Sequence, residues 1–228
     1  MLSVNFRAMK LTAICALVAI SIGCASGGTK EKQTTGPGMG TGSVPQGAPL
    51  GFIVGRSVLV LPVQRNVIFP DSTWKSEIAT GSTFTAALDD AIESSLTQRG
   101  VSAGWTFAAA ISATARRNTG MVPDPHVLAI GNLTRLTKAG DDPLPQALGS
   151  QIRELVALRD GRYAVLPAAV RFSRLGTAER AALVLYLIDS RTARIVWSGE
   201  VVSDPSPTVS PAMAASLAEH IADLVVGK

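Results

Sequence analysis

The chain has two cysteines, two histidines and few aromatic residues, 5% in all. Two cysteines cannot build a disulfide framework or a cysteine-rich zinc site. The two histidines, His126 and His220, stand 94 positions apart, with no His-x-x-x-His pair and no cysteine near either. No metal or other cofactor is expected from such sparse ligands. No Gly-x-Ser-x-Gly elbow exists, and the adjacent acids Asp89-Asp90 and Asp141-Asp142 read as a solvated helix face and a turn. No catalytic residue is therefore assigned. The longest apolar runs also fall short of the ~20 residues that a membrane-spanning helix needs.

What is present begins at the amino end. No acidic residue precedes Cys24, while Arg7 and Lys10 give a positive start. Residues 11–22 are apolar except for Thr12 and Ser21, and Ile22-Gly23-Cys24 follows. This is the layout of a cleaved export signal, to be set aside from fold reasoning. Gly23-Cys24 directly after the apolar run resembles the bacterial lipobox, although Ser21 stands where that motif usually has Leu. The resemblance implies cleavage between Gly23 and Cys24 and fatty acylation, including palmitate, of Cys24. Cys15 would leave with the signal. Ala25, where an Asp favours inner-membrane retention in enteric bacteria, implies an outer-membrane anchor facing the periplasm. An ordinary cleaved signal peptide with an incidental cysteine and an uncleaved anchor are the alternatives.

Removing residues 1–23 removes two of the 21 basic residues and none of the 17 acidic ones, so the formal charge falls from +4 to +2. That is too small to indicate nucleic-acid binding. Residues 24–50 are rich in Gly, Ser, Thr and Pro, so they cannot bury enough surface to offset the entropy of ordering. A coil of this length reaches about 25–30 Å. The Gly36–Gly42 stretch lacks the Gly-Lys-Ser/Thr ending of a phosphate loop.

Residues 51–228 have the length of one α/β domain. Ser57–Val63 reads as a buried strand ended by Pro62. Phe84, Leu88, Ile92 and Leu96 form a helical stripe over residues 83–98. The pattern further predicts a helix over Trp105–Asn118, a short strand at Val127–Leu133 and a helix near 144–159. Strands follow at Arg162–Phe172, Ala181–Asp189 and Arg194–Val202. A last helix over Pro211–Val226 is expected to be capped by Ser210. The order predicts an α+β fold: a mixed sheet with a late antiparallel hairpin and helices packed on it.

The strand, the Asp189-Ser190-Arg191-Thr192 turn and Ile195-Val196-Trp197-Ser198-Gly199 resemble the hairpin shared by the curli-secretion lipoprotein family and the amino-terminal domain of TolB. The likeness is specific over residues 182–202. It implies an envelope role, and with the tether and the missing catalytic motifs the expectation is a non-catalytic domain that binds another envelope protein for assembly, transport or activation. Oligomers are compatible with it. The long alternating strands of a membrane pore are missing from the sequence. A periplasmic hydrolase of cell-wall or anionic substrates is the competing reading, and a self-assembling structural component a third.

Trp74, in a polar stretch, is a candidate partner contact. Trp105 and Trp197 read as packing residues. Arg162, Arg171 and Arg174 flank one strand. A straight strand would put Arg162 and Arg174 on one face, as a second candidate contact, and Arg171 on the other.

Overall fold

A computed structural model describes residues 47–70, 81–131, 133 and 143–228. The expected export signal, Cys24, nearly all of the expected tether, Trp74 and Asp141-Asp142 lie outside the described residues. Those described form an α+β fold with a mixed sheet, as expected.

The strands are β1 (Val58–Val60), β2 (Val67–Ile68), β3 (Trp105–Thr106), β4 (Tyr163–Leu175), β5 (Ala178–Asp189) and β6 (Arg194–Val202). The helices are α1 (Gly81–Gln98), α2 (Ala108–Arg117), α3 (Gln146–Ala157) and α4 (Pro211–Val226). The sheet order is β3-β1-β4-β5-β6, with β2 also paired to β4. β1 runs parallel to β3 and β4, while β4, β5 and β6 are antiparallel in turn. β1 and β2 pair with successive stretches of β4, Val60 opposite Val165 and Val67 opposite Val170.

Both faces of the sheet are buried over much of its area. On one, Leu88, Ile92 and Leu96 of α1 and Leu217 and Ile221 of α4 meet Val165, Leu183, Leu185 and Leu187. On the other, Leu148, Ile152 and Leu155 of α3 and Ile111 of α2 meet Ala164, Leu166, Tyr186 and Ile188. Two-sided cover explains why the first eight residues of β4 are all buried, the pattern of a strand without a solvent face. Arg99 ties α1 to α4 through Asp223 (2.5 Å) and Glu219 (2.6 Å).

Four expectations need correction. Trp105 belongs to β3 and not to a helix: it pairs with Val58, Phe107 is still extended, and α2 starts only at Ala108. Residues 127–131 and 133 form turns and not a strand, closed by Val127 N–H to Asp124 O and Leu133 N–H to Ile130 O. Ser210 precedes α4, but its side chain makes no capping bond. The hairpin strands β4 and β5 run further than their apolar cores, meeting at a two-residue turn, Gly176-Thr177, with Gly176 at φ 64°. That short turn favours residues with positive φ.

The β5–β6 turn follows its sequence closely. Asp189 Oδ1 accepts the N–H groups of Arg191 (2.9 Å) and Thr192 (3.3 Å), and Ser190 Oγ donates to Arg162 O (2.7 Å). An Asp that bonds its own downstream backbone is a common turn device.

Candidate functional site

β1 ends at Val60, but its backbone stays beside β4 for four more residues: Leu61 N–H donates to Val165 O (2.9 Å) and Gln64 N–H to Pro167 O (3.0 Å). Gln64 is only 1% exposed. A buried amide costs free energy unless its donors and acceptor are paired, and here the partners come from another loop. Gln64 Nε2 donates to Pro62 O (2.9 Å) and Pro125 O (2.8 Å), and Leu128 N–H donates to Gln64 Oε1 (2.8 Å). Arg65 N–H adds a bond to His126 O (3.1 Å). One buried side chain thus fastens the 122–128 loop to the carboxyl end of β1.

Between that loop and α2 lies a cleft of about 290 Å³, lined by Arg65, Ser112, Arg116, Asp124 and His126 among others. Ser112 Oγ and His126 Nε2 are hydrogen-bonded at 3.0 Å. Burial holds the His126 ring below its ordinary pKa; Asp124 opposes this, while Arg65 and Arg116 add to it. The ring is therefore neutral at pH 7.

A serine bonded to a neutral histidine invites comparison with a hydrolase. The remaining parts are arranged differently. Asp124 Oδ1 accepts the backbone N–H of His126 (3.0 Å), whereas a catalytic triad uses its acid to orient the ring. Ser112 lies within α2, so its own N–H belongs to the helix ladder and cannot serve an oxyanion. The geometry suits holding a ligand better than attacking one.

The other histidine is structural. His220 Nδ1 lies 2.8 Å from Val202 O, so Nδ1 carries the hydrogen, and Nε2 lies 3.9 Å from Asp204 Oδ1. Among the described residues no group of three or more acidic, histidine or cysteine side chains is placed to hold a metal ion.

The sequence-derived contact residues are not brought together. Arg162 sits at one end of β4, 3.7 Å from Asp189 and over the Tyr163 ring. Arg174 sits at the other end, paired with Glu179 at 2.8 Å. At about 3.3 Å per residue, the two are roughly 40 Å apart along the strand. Arg171 pairs with Glu200 of β6 at 2.7 Å. A bulge between Pro167 and Ala169 also breaks the straight alternation that would set Arg162 and Arg174 on one face. Trp105 and Trp197 both pack on the α1/α4 side of the sheet.

Asp89 departs from its reading as a solvated helix acid. Its Oδ1 accepts Val63 N–H at 2.8 Å. Burial pushes its carboxyl pKa up to about 7, with the Val63 bond opposing and Asp90 adding a smaller push. Asp90 itself is exposed. Gln64 and Asp89 carry no motif; the nearest signal is Pro62, just past the end of β1, after which the Val63 N–H is met by a side chain.

No family model matches the sequence, and no curated protein matches it. Among solved structures it is similar to the C-terminal domain of LpoB from Salmonella enterica, at 14% identity and TM-score 0.38, over 68% of this chain and 91% of that one. It is also similar to a lipoprotein from Neisseria meningitidis, at 18% identity and TM-score 0.30, over 64% of this chain and 77% of that one. A third is a PelC dodecamer from Paraburkholderia phytofirmans, at 11% identity and TM-score 0.34, over 74% of this chain and 86% of that one. None of these three is a curli-secretion protein or TolB, and that resemblance is specific in sequence only over residues 182–202. Function does not follow from fold at such distances.

Proposed function

We propose that this chain is a bacterial envelope lipoprotein: cleaved before Cys24, acylated there, and carried on the 24–50 tether in the periplasm, most simply from the outer membrane. Its folded part, residues 51–228, binds another envelope protein in an assembly, transport-accessory or activator role. The observation that carries this reading is the Gly23-Cys24 pair placed directly after a 12-residue apolar run with a basic start. A helix needs ~20 apolar residues to stay in the bilayer, so lipid is the anchor that this layout can supply. Among the described residues no helix is long and apolar enough to cross a membrane. A single acyl chain holds only marginally, whereas several acyl chains on one cysteine hold firmly.

The test is crosslinking in the native host, comparing the natural chain with Cys24→Ala. The expected result is a distinct envelope protein captured from the membrane fraction by the natural chain, with capture reduced in the variant. Recovery of the lipoprotein alone under every condition would contradict the partner-binding role; ladders of the lipoprotein itself would support self-assembly instead. Trp74→Ala, Arg162→Ala and Arg174→Ala test the contact residues proposed from sequence.

The hydrolase reading has one specific observation, the Ser112–His126 bond. It is the weaker reading because Asp124 does not reach the ring and Ser112 lies inside a helix.

A further inference from the structure

We infer that the cleft between α2 and the 119–126 loop is a binding site for a carboxylate carried on a small apolar group. Two guanidinium groups line it from different parts of the chain, Arg65 from the segment between β1 and β2 and Arg116 from α2. Among the described residues neither has a carboxylate within ion-pair distance. Both are exposed, so both are available to a ligand. A guanidinium presents a planar fork that matches an oxyanion with two parallel bonds. Ser112 Oγ, held by His126, supplies a hydroxyl at the wall, and Ala115, Val122 and Pro123 supply the apolar surface.

Charge selects the class of oxyanion. Arg65, Arg116 and Asp124 sum to +1 around a neutral His126, which matches a singly charged group. While His126 is neutral, a phosphate dianion would meet the Asp124 carboxylate with no cation left to balance its second charge. Arg116 also sits in the last turn of α2, where the exposed carbonyls carry partial negative charge that repels an anion. Both arginines are therefore needed. The volume, about 290 Å³, suits a small group and not an extended polymer. Gln64 fixes the loop through buried bonds, so little ordering is left for binding to oppose.

A bound anion favours the charged imidazolium of His126. Binding therefore raises the ring pKa, and by reciprocity the ligand binds more tightly as pH falls through the His126 titration. Arg65, Arg116 and Asp124 are the charged groups that act on this ring, and Ser112 is its hydrogen-bond partner.

The experiment follows the ring signals of His126 and His220 by NMR in the full mature protein in detergent, with His220 as the internal reference. The probes are N-acetylalanine, its carboxamide, butyrate and inorganic phosphate. N-acetylalanine is expected to shift His126 saturably, with Kd on the order of 1 mM or tighter, and to raise its pKa, leaving His220 unmoved. The carboxamide should do neither. Tighter binding of N-acetylalanine than of butyrate identifies a chain-terminal carboxylate as the source; equal binding identifies a small free acid. Arg65→Gln and Arg116→Gln should each weaken binding roughly tenfold or more, and Arg116→Lys should recover part of it. No saturable shift, equal binding of the carboxamide, or tighter binding of phosphate would overturn the inference. An unchanged His220 signal verifies that each variant is folded.

Discussion

Asp89 shows how one side chain can set the pH response of the molecule. Its folded-state pKa, about 7, lies above the ordinary value of an unfolded aspartate, so the folded form holds this proton more tightly. Its contribution to stability is therefore fully present below about pH 4 and is lost as pH rises through about 7. Asp89→Asn keeps an acceptor for Val63 N–H and removes the ionisation. Denaturant unfolding from about pH 5 to about pH 8 should show a flatter profile in the variant, and at pH 8 a gain of about 1–3 kcal/mol, since one pKa unit is worth about 1.4 kcal/mol. An identical slope in both proteins would contradict the account. Gln64→Ala is the second residue test. It strands Leu128 N–H, Pro125 O and Pro62 O, which should cost about 3 kcal/mol or more at a group penalty of about 1–3 kcal/mol each and free the Leu128 amide to exchange. Neither residue was legible in advance. An Asp beside a second Asp on a helix reads as solvated, and Gln64 acquires its role from a loop 61 residues away. The cleft was equally hidden, because its lining comes from three stretches that only the fold brings together.

At the scale of elements, periodicity carried far where runs were long. The stripes Phe84-Leu88-Ile92-Leu96 and Met213-Leu217-Ile221 are buried as their spacing requires, and the three late strands fall where their β-branched runs lie. Two-residue strands have no period to read: β2 was missed, and β3 was absorbed into the helix that follows it. The bulge in β4 was invisible too. Tyr163 and Val165 before it, and Val170 and Phe172 after it, face the same core layer, so the register changes parity within one apolar run. Close packing of elements gives a further test. A Cβ at Gly161 would run into Leu59 Cδ1, the end of a side chain buried in the core. Gly161→Ala should lose about 1–3 kcal/mol in urea unfolding; unchanged stability would show that the Leu59 side chain can move aside. The Arg99 link between α1 and α4 is more exposed. It holds the Glu219 carboxyl below its usual range, with help from Ser95, so its stabilisation is lost as pH falls through that lowered value. Arg99→Ala should cost at most about 1 kcal/mol, and less in high salt.

At the scale of the whole molecule, the described fold separates two jobs. Helix pairs on either face of the sheet enclose the core. The cleft at the carboxyl end of β1 is built from loop and helix-end residues, outside that core. The amino-terminal layout concerns location alone. It was read entirely from residue order: basic start, short apolar run, Gly23-Cys24, then a polar spacer. The central claim is that lipid on Cys24 makes this a surface-bound protein. Its most direct measurement is the intact mass of the amino-terminal peptide of mature protein from the native host. The account predicts a peptide beginning at Cys24 that carries fatty-acyl groups. A peptide beginning elsewhere, or one beginning at Cys24 with an unmodified thiol, would contradict it.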